Sequence, residues 1–286
     1  MVVPVVLIHS GLQPYLYTCI NQALKNNEVY LLGSSDPSVD HYNFTYVNPS
    51  EQNLGKDIRE FSDIYVHLNT TPPDYELFCY TRWFMLRNFM EANSLPVVMY
   101  IDSDVLLFQN ATEGWQNFNN YIMSLVHRTS GHTSFMTQEG INSFCDMLMS
   151  IYSDKAGYHF NKIKSHLDIR QAARLPGGVC DMTLLEYFHY HAEFGGGPGR
   201  VGEMMSIIND STYDHNFNVS DEDYEFGKHS PLIKMDTAGT KIVKRYEGNP
   251  AVYNHRLGKN IKFNSLHFQG GAKGLMGNIY EKFLEE

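Results

Sequence analysis

Short apolar runs alternate with stretches of helical period along the first hundred residues. Residues 2–8 are an apolar opening of strand length, and residues 14–24 follow with helical spacing from Pro14, a residue tolerated in a first helical turn. Residues 29–32 predict a second buried strand, ended by Gly33-Ser34-Ser35-Asp36-Pro37, and residues 44–47 a third. Ser50 is expected to cap a helix running through Ile58 and Phe61. Asp74, after Pro72-Pro73, is expected to cap another, in which Leu77, Phe78, Thr81, Met85 and Phe89 recur at helical spacing to about Met90. Residues 96–101 then predict an apolar strand that runs straight into Asp102-Ser103-Asp104. This alternation is the sequence form of an α/β sheet with crossover helices.

The pattern loosens afterwards. Residues 137–152 and 181–194 predict helices, and the glycines of 195–199 predict a loop. Residues 210–258 are polar, Asn-rich and turn-rich, without a strong period. Residues 261–267 return as a strand, followed by a Gly-rich turn and a short amphipathic helix ending at Glu286. There is no internal repeat and no low-complexity linker, so the 286 residues are expected to form a single domain.

Composition narrows the function classes. With 43% apolar residues the chain can bury a large core. Lys plus Arg number 22 against 32 for Asp plus Glu, a net charge of −10, so nucleic acid is not an expected partner and an anionic substrate would need a local cation. Cys19, Cys79, Cys145 and Cys180 are widely spaced and are expected to be reduced. The apolar opening lacks preceding basic residues and is too short for an export signal or a membrane span, which leads to the expectation of a cytoplasmic protein.

The chemistry concentrates at two strand ends. Two carboxylates placed between apolar runs are costly unless a cation or hydrogen bonds compensate them. Alternation along an extended chain would put Asp102 and Asp104 on one face, at the carboxyl end of a sheet strand where α/β proteins hold ligands. Their hard oxygens suit Mg²⁺ or Mn²⁺, which can bridge to phosphate. A bare DxD is nevertheless common by chance. Near the other end, His267-Phe268-Gln269-Gly270-Gly271-Ala272-Lys273 offers an imidazole as a third metal ligand, glycines that let backbone N–H groups approach an anion, and an ammonium for phosphate. His189 and His191 are two apart and would diverge on a helix, so no metal role is expected of that pair.

Taken together, Leu7-Ile8-His9-Ser10-Gly11, Tyr80-Thr81-Arg82-Trp83, Asp102-Ser103-Asp104 and the C-terminal segment resemble the nucleotide-sugar-dependent glycosyltransferases of the GT-A class. His267, Gly270 and Lys273 are similar to the HxxGxxK signature of the retaining family that includes glycogenin and the bacterial lipopolysaccharide galactosyltransferases. Gly274-Leu275 and Cys180-Asp181-Met182 stand where that family tends to have Pro-Trp and Asp-Gln. The resemblance implies a GT-A-like, Rossmann-type mixed sheet flanked by helices, with residues 1–108 holding a nucleotide diphosphate sugar, a UDP-sugar first among them. Residues 109–286 would shape the acceptor site and carry the metal and diphosphate motif. It further implies Mn²⁺ or Mg²⁺ held by Asp104 and His267, with Asp102 holding the ribose and assisting the metal. Lys273, with the backbone of Gly270 and Gly271, would neutralise the leaving diphosphate. His9, Ser10, Gly11 and residues 34–36 would line the base and ribose pocket, and Ser103 would belong to the donor site. The acceptor would be a glycan or another hydroxyl compound.

Asp181, at the start of an apolar helical pattern, is either an N-cap or a carboxylate that deprotonates or orients the acceptor. Arg82 is either an exposed helix residue or a contact to Asp102 or the donor. Residues 131–136 are expected to reach the acceptor. Two rival readings share these residues. In a haloacid-dehalogenase-like phosphatase Asp102 would be the nucleophile and Asp104 the acid/base, but Leu106, the late position of the motif and the lack of a later strand-end acidic pair oppose it. The other rival is a sugar-binding protein without catalysis.

Overall fold

The computed structural model of the chain describes residues 1–36, 43–52, 54–55, 57–218, 240–254 and 257–283. Its centre is a seven-stranded mixed sheet. Strands β1 (Val5–His9), β2 (Val29–Gly33) and β3 (Thr45–Val47) are parallel, and β4 (Val97–Ile101) is parallel to β1. Beyond β4 come β6 (Met123–Leu125), β7 (Thr133–Thr137) and β8 (Val201–Glu203), giving the order β3-β2-β1-β4-β7-β6-β8 with β7 antiparallel to both neighbours. A second sheet joins β10 (Lys244–Tyr246), β11 (Asn249–Asn254), β12 (Lys259–His267) and β5 (Val105–Leu107), while β9 (Ser211–Tyr213) pairs parallel with β12. The α/β class expected from the sequence, a mixed sheet flanked by helices, is the class the structure has.

Side-chain alternation sends each central strand into two cores. Val97, Met99 and Ile101 of β4 pack with Leu16, Cys19 and Ile20 of helix α1 (Pro14–Leu24). Val98 and Tyr100 pack on the other face with helix α3 (Pro73–Ala92) and with α5 (Gln138–Ser153) and α7 (Asp181–Tyr190). Helices α2 (Ile58–Ile64), α4 (Ala111–Trp115), α6 (Tyr158–Ala172) and α8 (Met276–Lys282) complete the described set. None of these helices is long and apolar enough to cross a membrane.

Several expected boundaries shift for local reasons. The first strand begins at Val5 rather than residue 2, after Pro4, which has no N–H to give to a ladder. Ser50 caps no helix: its N–H donates to Asn48 Oδ1 at 3.1 Å in a turn, and α2 waits until Ile58. In α3 the cap is Pro72, with Pro73 the first helical residue and Asp74 and Glu76 in the first turn, where acidic groups favour the helix dipole. In α7 Cys180 takes the cap position and Asp181 is the first helical residue; the helix stops at Tyr190, before a single 3₁₀ turn at Ala192–Phe194. Residues 131–136 are largely the buried inner strand β7. The described part of the polar stretch from 210 to 258 carries β9, β10 and β11; β10 is wholly exposed and β9 has three residues, so neither shows an alternation. Pro37 and residues 284–286, where the final helix was expected to end, lie outside the described residues.

Candidate active site

Backbone register brings the two strand-end motifs together. β5 runs antiparallel to β12, with Val105 opposite His267, and the Phe268 N–H donates to the Asp104 carbonyl at 2.8 Å. The chain must leave the central sheet after β4 to enter the second sheet as β5, so residues 102–104 form a turn, closed by Val105 N–H on the Asp102 carbonyl at 3.2 Å. The extended geometry expected to put Asp102 and Asp104 on one face is therefore absent. Both still line one cavity of about 800 Å³, but their carboxylates have different partners.

Asp104 faces the C-terminal motif. Its Oδ1 is 3.6 Å from His267 Nε2 and its Oδ2 is 3.1 Å from Lys273 Nζ. His267 Nδ1 lies 2.6 Å from the His215 carbonyl, which can only accept, so Nδ1 donates there and Nε2 is the ring nitrogen that faces Asp104. The ring stacks on His132 with centroids 3.7 Å apart. His132 Nε2 donates to the Asp214 carbonyl at 3.1 Å, and its Nδ1 accepts from the Ser130 hydroxyl at 2.7 Å. Burial, then the neighbouring His267, hold His132 well below the ordinary imidazole range, so the stacked partner is neutral. Behind this pair Asp214 Oδ2 accepts from the His267 N–H at 3.1 Å, and Asp214 is ion-paired with Lys241, both side chains without solvent exposure. Gly270, at φ +59°, turns the chain from β12 toward Lys273 in a backbone conformation that a β-carbon would strain. Burial works against the Lys273 charge, but Asp104 outweighs it and raises the ammonium above its ordinary value.

Asp102 faces helix α3. Its Oδ1 accepts from Arg82 Nη1 at 2.8 Å and from the Tyr100 hydroxyl at 2.7 Å. Burial opposes its charge, yet the guanidinium and then the hydroxyl hold the carboxyl below its usual range. The other arm of Arg82 donates to Asp181 Oδ2 at 2.6 Å, an oxygen that also accepts from Trp83 Nε1 at 3.1 Å, while Asp181 Oδ1 accepts from the Met182 N–H at 2.9 Å. One planar guanidinium thus ties α3 to the end of β4 and to the start of α7. Arg82 is not an exposed helix residue.

The remaining expected site residues are placed less centrally. His9 Nδ1 is 2.8 Å from the Ser103 hydroxyl, and its Nε2 meets Gln13 Oε1. His9, Ser10, Gly11 and Ser103 are not among the residues lining the large cavity, whereas Gln269 and Gly270 are. Of residues 131–136 only His132 reaches it. Sequence reasoning missed Asp214, His215, Lys241 and Tyr100, and it named His132 and Trp83 only as members of longer segments, without the ring stack and the Asp181 contact they make. Each acts by packing or hydrogen bonding across more than one element, which no local pattern announces.

The residues fit a divalent ion at Asp104 and His267. In an octahedron with bonds of about 2.1 Å, adjacent ligand atoms are roughly 3 Å apart, close to the 3.6 Å between Oδ1 and Nε2. The tautomer of His267 leaves the correct nitrogen available. The ligand atoms of Glu76, Cys180 and Asp181 also lie within 4.8 Å of one another, but there the Asp181 oxygens are already taken by Arg82, Trp83 and Met182.

No protein-family model and no curated protein matches the chain in sequence. Among solved structures it is similar to mouse xyloside xylosyltransferase 1 in the apo form, at 8% identity over 74% of this chain and 88% of that one, with a TM-score of 0.45. It is similar to a glycosyltransferase involved in glycosylation of the major capsid of PBCV-1, at 9% identity over 98% and 99% of the two chains, TM-score 0.39. It is also similar to the apo structure of the bifunctional glycosyltransferase WbbM, at 10% identity over 99% of this chain and 50% of that one, TM-score 0.48.

Proposed function

We propose that the chain is a metal-dependent glycosyltransferase that moves a sugar from a nucleotide diphosphate sugar to a hydroxyl acceptor. The observation that carries this reading is the convergence of Asp104, His267 and Lys273 on one wall of the 800 Å³ cavity. A carboxylate, an imidazole and an ammonium within reach of each other make a site for a cation and a diphosphate together. The resemblance carried by HxxGxxK supports UDP as the nucleotide and retention as the outcome.

In this reading Asp104 and His267 hold Mn²⁺ or Mg²⁺, which when bound supplies positive charge to the diphosphate oxygens. Lys273 leaves its pairing with Asp104 and donates to the same diphosphate, where negative charge develops as the sugar C1–O bond breaks. The acceptor oxygen forms the new bond to C1, and in front-face retention a departing phosphate oxygen takes its proton. Asp102, whose Oδ1 is held by Arg82 and Tyr100, would use its other oxygen for the ribose and to assist the metal. We assign the Ser103 hydroxyl and the segment His9, Ser10 and Gly11 to the nucleoside, outside the lining of the 800 Å³ cavity. We assign Asp181 to positioning Arg82 rather than to proton abstraction, because Oδ2 accepts from two donors and Oδ1 from the backbone. Inversion with Asp181 as base remains the second reading, favoured by its place in the cavity wall.

Purified protein incubated with a panel of nucleotide sugars and Mn²⁺ should hydrolyse one of them slowly, and NMR of the product formed with an accepted acceptor should show the donor's anomeric configuration. No hydrolysis or transfer from any nucleotide sugar would defeat the glycosyltransferase reading. An opposite configuration, with Asp181→Asn losing transfer but keeping donor binding, would move the base to Asp181.

A further inference from the structure

A second cluster of metal-ligating side chains lies away from the cavity. One ligand atom each of His159, His191 and Glu193 lies within 4.8 Å of the others, and none of the three lines the 800 Å³ cavity. His159 is the second residue of α6. His191 sits just beyond the last residue of α7, and Glu193 belongs to the 3₁₀ turn that follows. The divergence expected of His189 and His191 is therefore irrelevant here: the partner of His191 comes from another helix, 32 positions away along the chain.

We infer that these three residues form a binding site for a divalent transition ion of the zinc class. Two imidazoles and one carboxylate are the ligand set that suits such an ion, with a water completing the tetrahedron. The site is already oriented by Tyr187. Its hydroxyl is 2.8 Å from His159 Nδ1, and its ring stacks on His191 with centroids 3.7 Å apart and planes 14° from parallel. A hydrogen bond from one ring nitrogen fixes the other for coordination, the arrangement that supports metal-bound histidines generally. Tyr187 lies in the last turn of α7 and His191 is the extended residue that follows the helix, turned back so that its ring lies on that of Tyr187. His191 Nδ1 and Glu193 Oε1 are 2.7 Å apart, so an ion would replace that hydrogen bond by entering between groups already in contact.

The consequence is mechanical. A bound ion ties the start of α6 to the end of α7, and the connection between these helices contributes Gly177, Gly178 and Cys180 to the cavity wall. Occupancy would stiffen that wall without touching Asp104, His267 or Lys273. This inference does not depend on the proposed transferase activity.

The test is calorimetric titration of the full chain with Zn²⁺ in the presence of excess Mg²⁺, which occupies oxygen-only sites, with Asp104→Asn as the variant that removes the cavity's carboxylate ligand. One equivalent should bind to the wild type and to Asp104→Asn, and be lost in His159→Ala and His191→Ala. Tyr187→Phe keeps the stacking ring but removes the hydroxyl and should weaken binding by roughly 10–100-fold. At a hundredfold excess over the dissociation constant, Zn²⁺ should raise the wild-type Tm by roughly 5 °C. Glu193 is exposed, so Glu193→Gln serves as a variant whose folding is not at issue, and it too should bind more weakly. Equal zinc binding by the wild type and the His159, His191 and Glu193 variants would overturn the site, as would no zinc bound to the wild type.

Discussion

Replacing Lys241 by methionine probes the layer that holds His267 in place. Lys241 and Asp214 are ion-paired with no solvent exposure, and Lys241 also donates to the Asn216 carbonyl at 2.6 Å. Methionine keeps most of the stem and deletes the charge, so the Asp214 carboxylate stays buried without this cation. Breaking a buried pair from one side costs about 3–5 kcal/mol. For a chain of this length that corresponds to a fall in Tm of roughly 6–10 °C. Asp214 also accepts from the His267 N–H at 3.1 Å, so removing both charges in Lys241→Met/Asp214→Leu strands that donor, at a cost of about 1–3 kcal/mol. The double variant should therefore lie between the wild type and the single variant. Urea unfolding with calorimetry measures all three. A Lys241→Met variant within about 1 kcal/mol of wild type would show that the pair behaves like a solvated surface bridge, and the reasoning would fail.

Three further outcomes follow from the same contacts. Lys273→Ala should lower kcat by about 10²-fold with a smaller change in KM, because its charge matters most when the diphosphate departs; wild-type kcat with only a raised KM would reduce it to a donor-binding residue. Arg82→Lys cannot span Asp102 and Asp181 with one planar group, and should lower stability by roughly 1–3 kcal/mol in chemical denaturation, whereas an unchanged midpoint would show that the fork is dispensable. His189 is held below the ordinary imidazole value by burial and then by Arg128, and its Nδ1 is buried without a partner. The unfolded chain then binds more protons than the folded one below about pH 6.5, so stability falls as pH drops through that value, by at most about 1.4 kcal/mol per pH unit from this group. His189→Gln should flatten that slope in urea titrations at pH 7 and pH 5, and an identical slope would remove His189 as its source.

Much of the central sheet was legible in the residue pattern because its elements are regular and buried on both faces. Pro14 to Leu24 combines a first-turn proline with an amphipathic period, and residues 97–101 are apolar throughout; both elements lie where the pattern puts them. The second sheet was not legible, apart from β12. β10 is wholly exposed and β9 has three residues, so neither shows the alternation that marks a half-buried strand. Helix α6 was also unread, since only Phe160 and Ile163 of its fifteen residues are buried. At the site, Asp104, His267 and Lys273 could be paired in advance because each stands in a recognisable strand-end motif. The contact between Arg82 and Asp102 was one of several options, and the second arm of Arg82 on Asp181 was not among them. His132, Asp214 and Lys241 carry no local signal, because their roles arise from a ring stack and a buried ion pair that exist only after β7, β9 and β12 have come together.

The most direct measurement of the central claim is a calorimetric titration of UDP into the protein with and without Mn²⁺, repeated for Asp104→Asn and His267→Ala. The account predicts UDP binding that requires Mn²⁺ in the wild type, is abolished in Asp104→Asn, and is weakened by roughly 10–100-fold in His267→Ala. UDP binding of equal strength without the metal, or Mn²⁺-dependent binding unchanged in both variants, would contradict it.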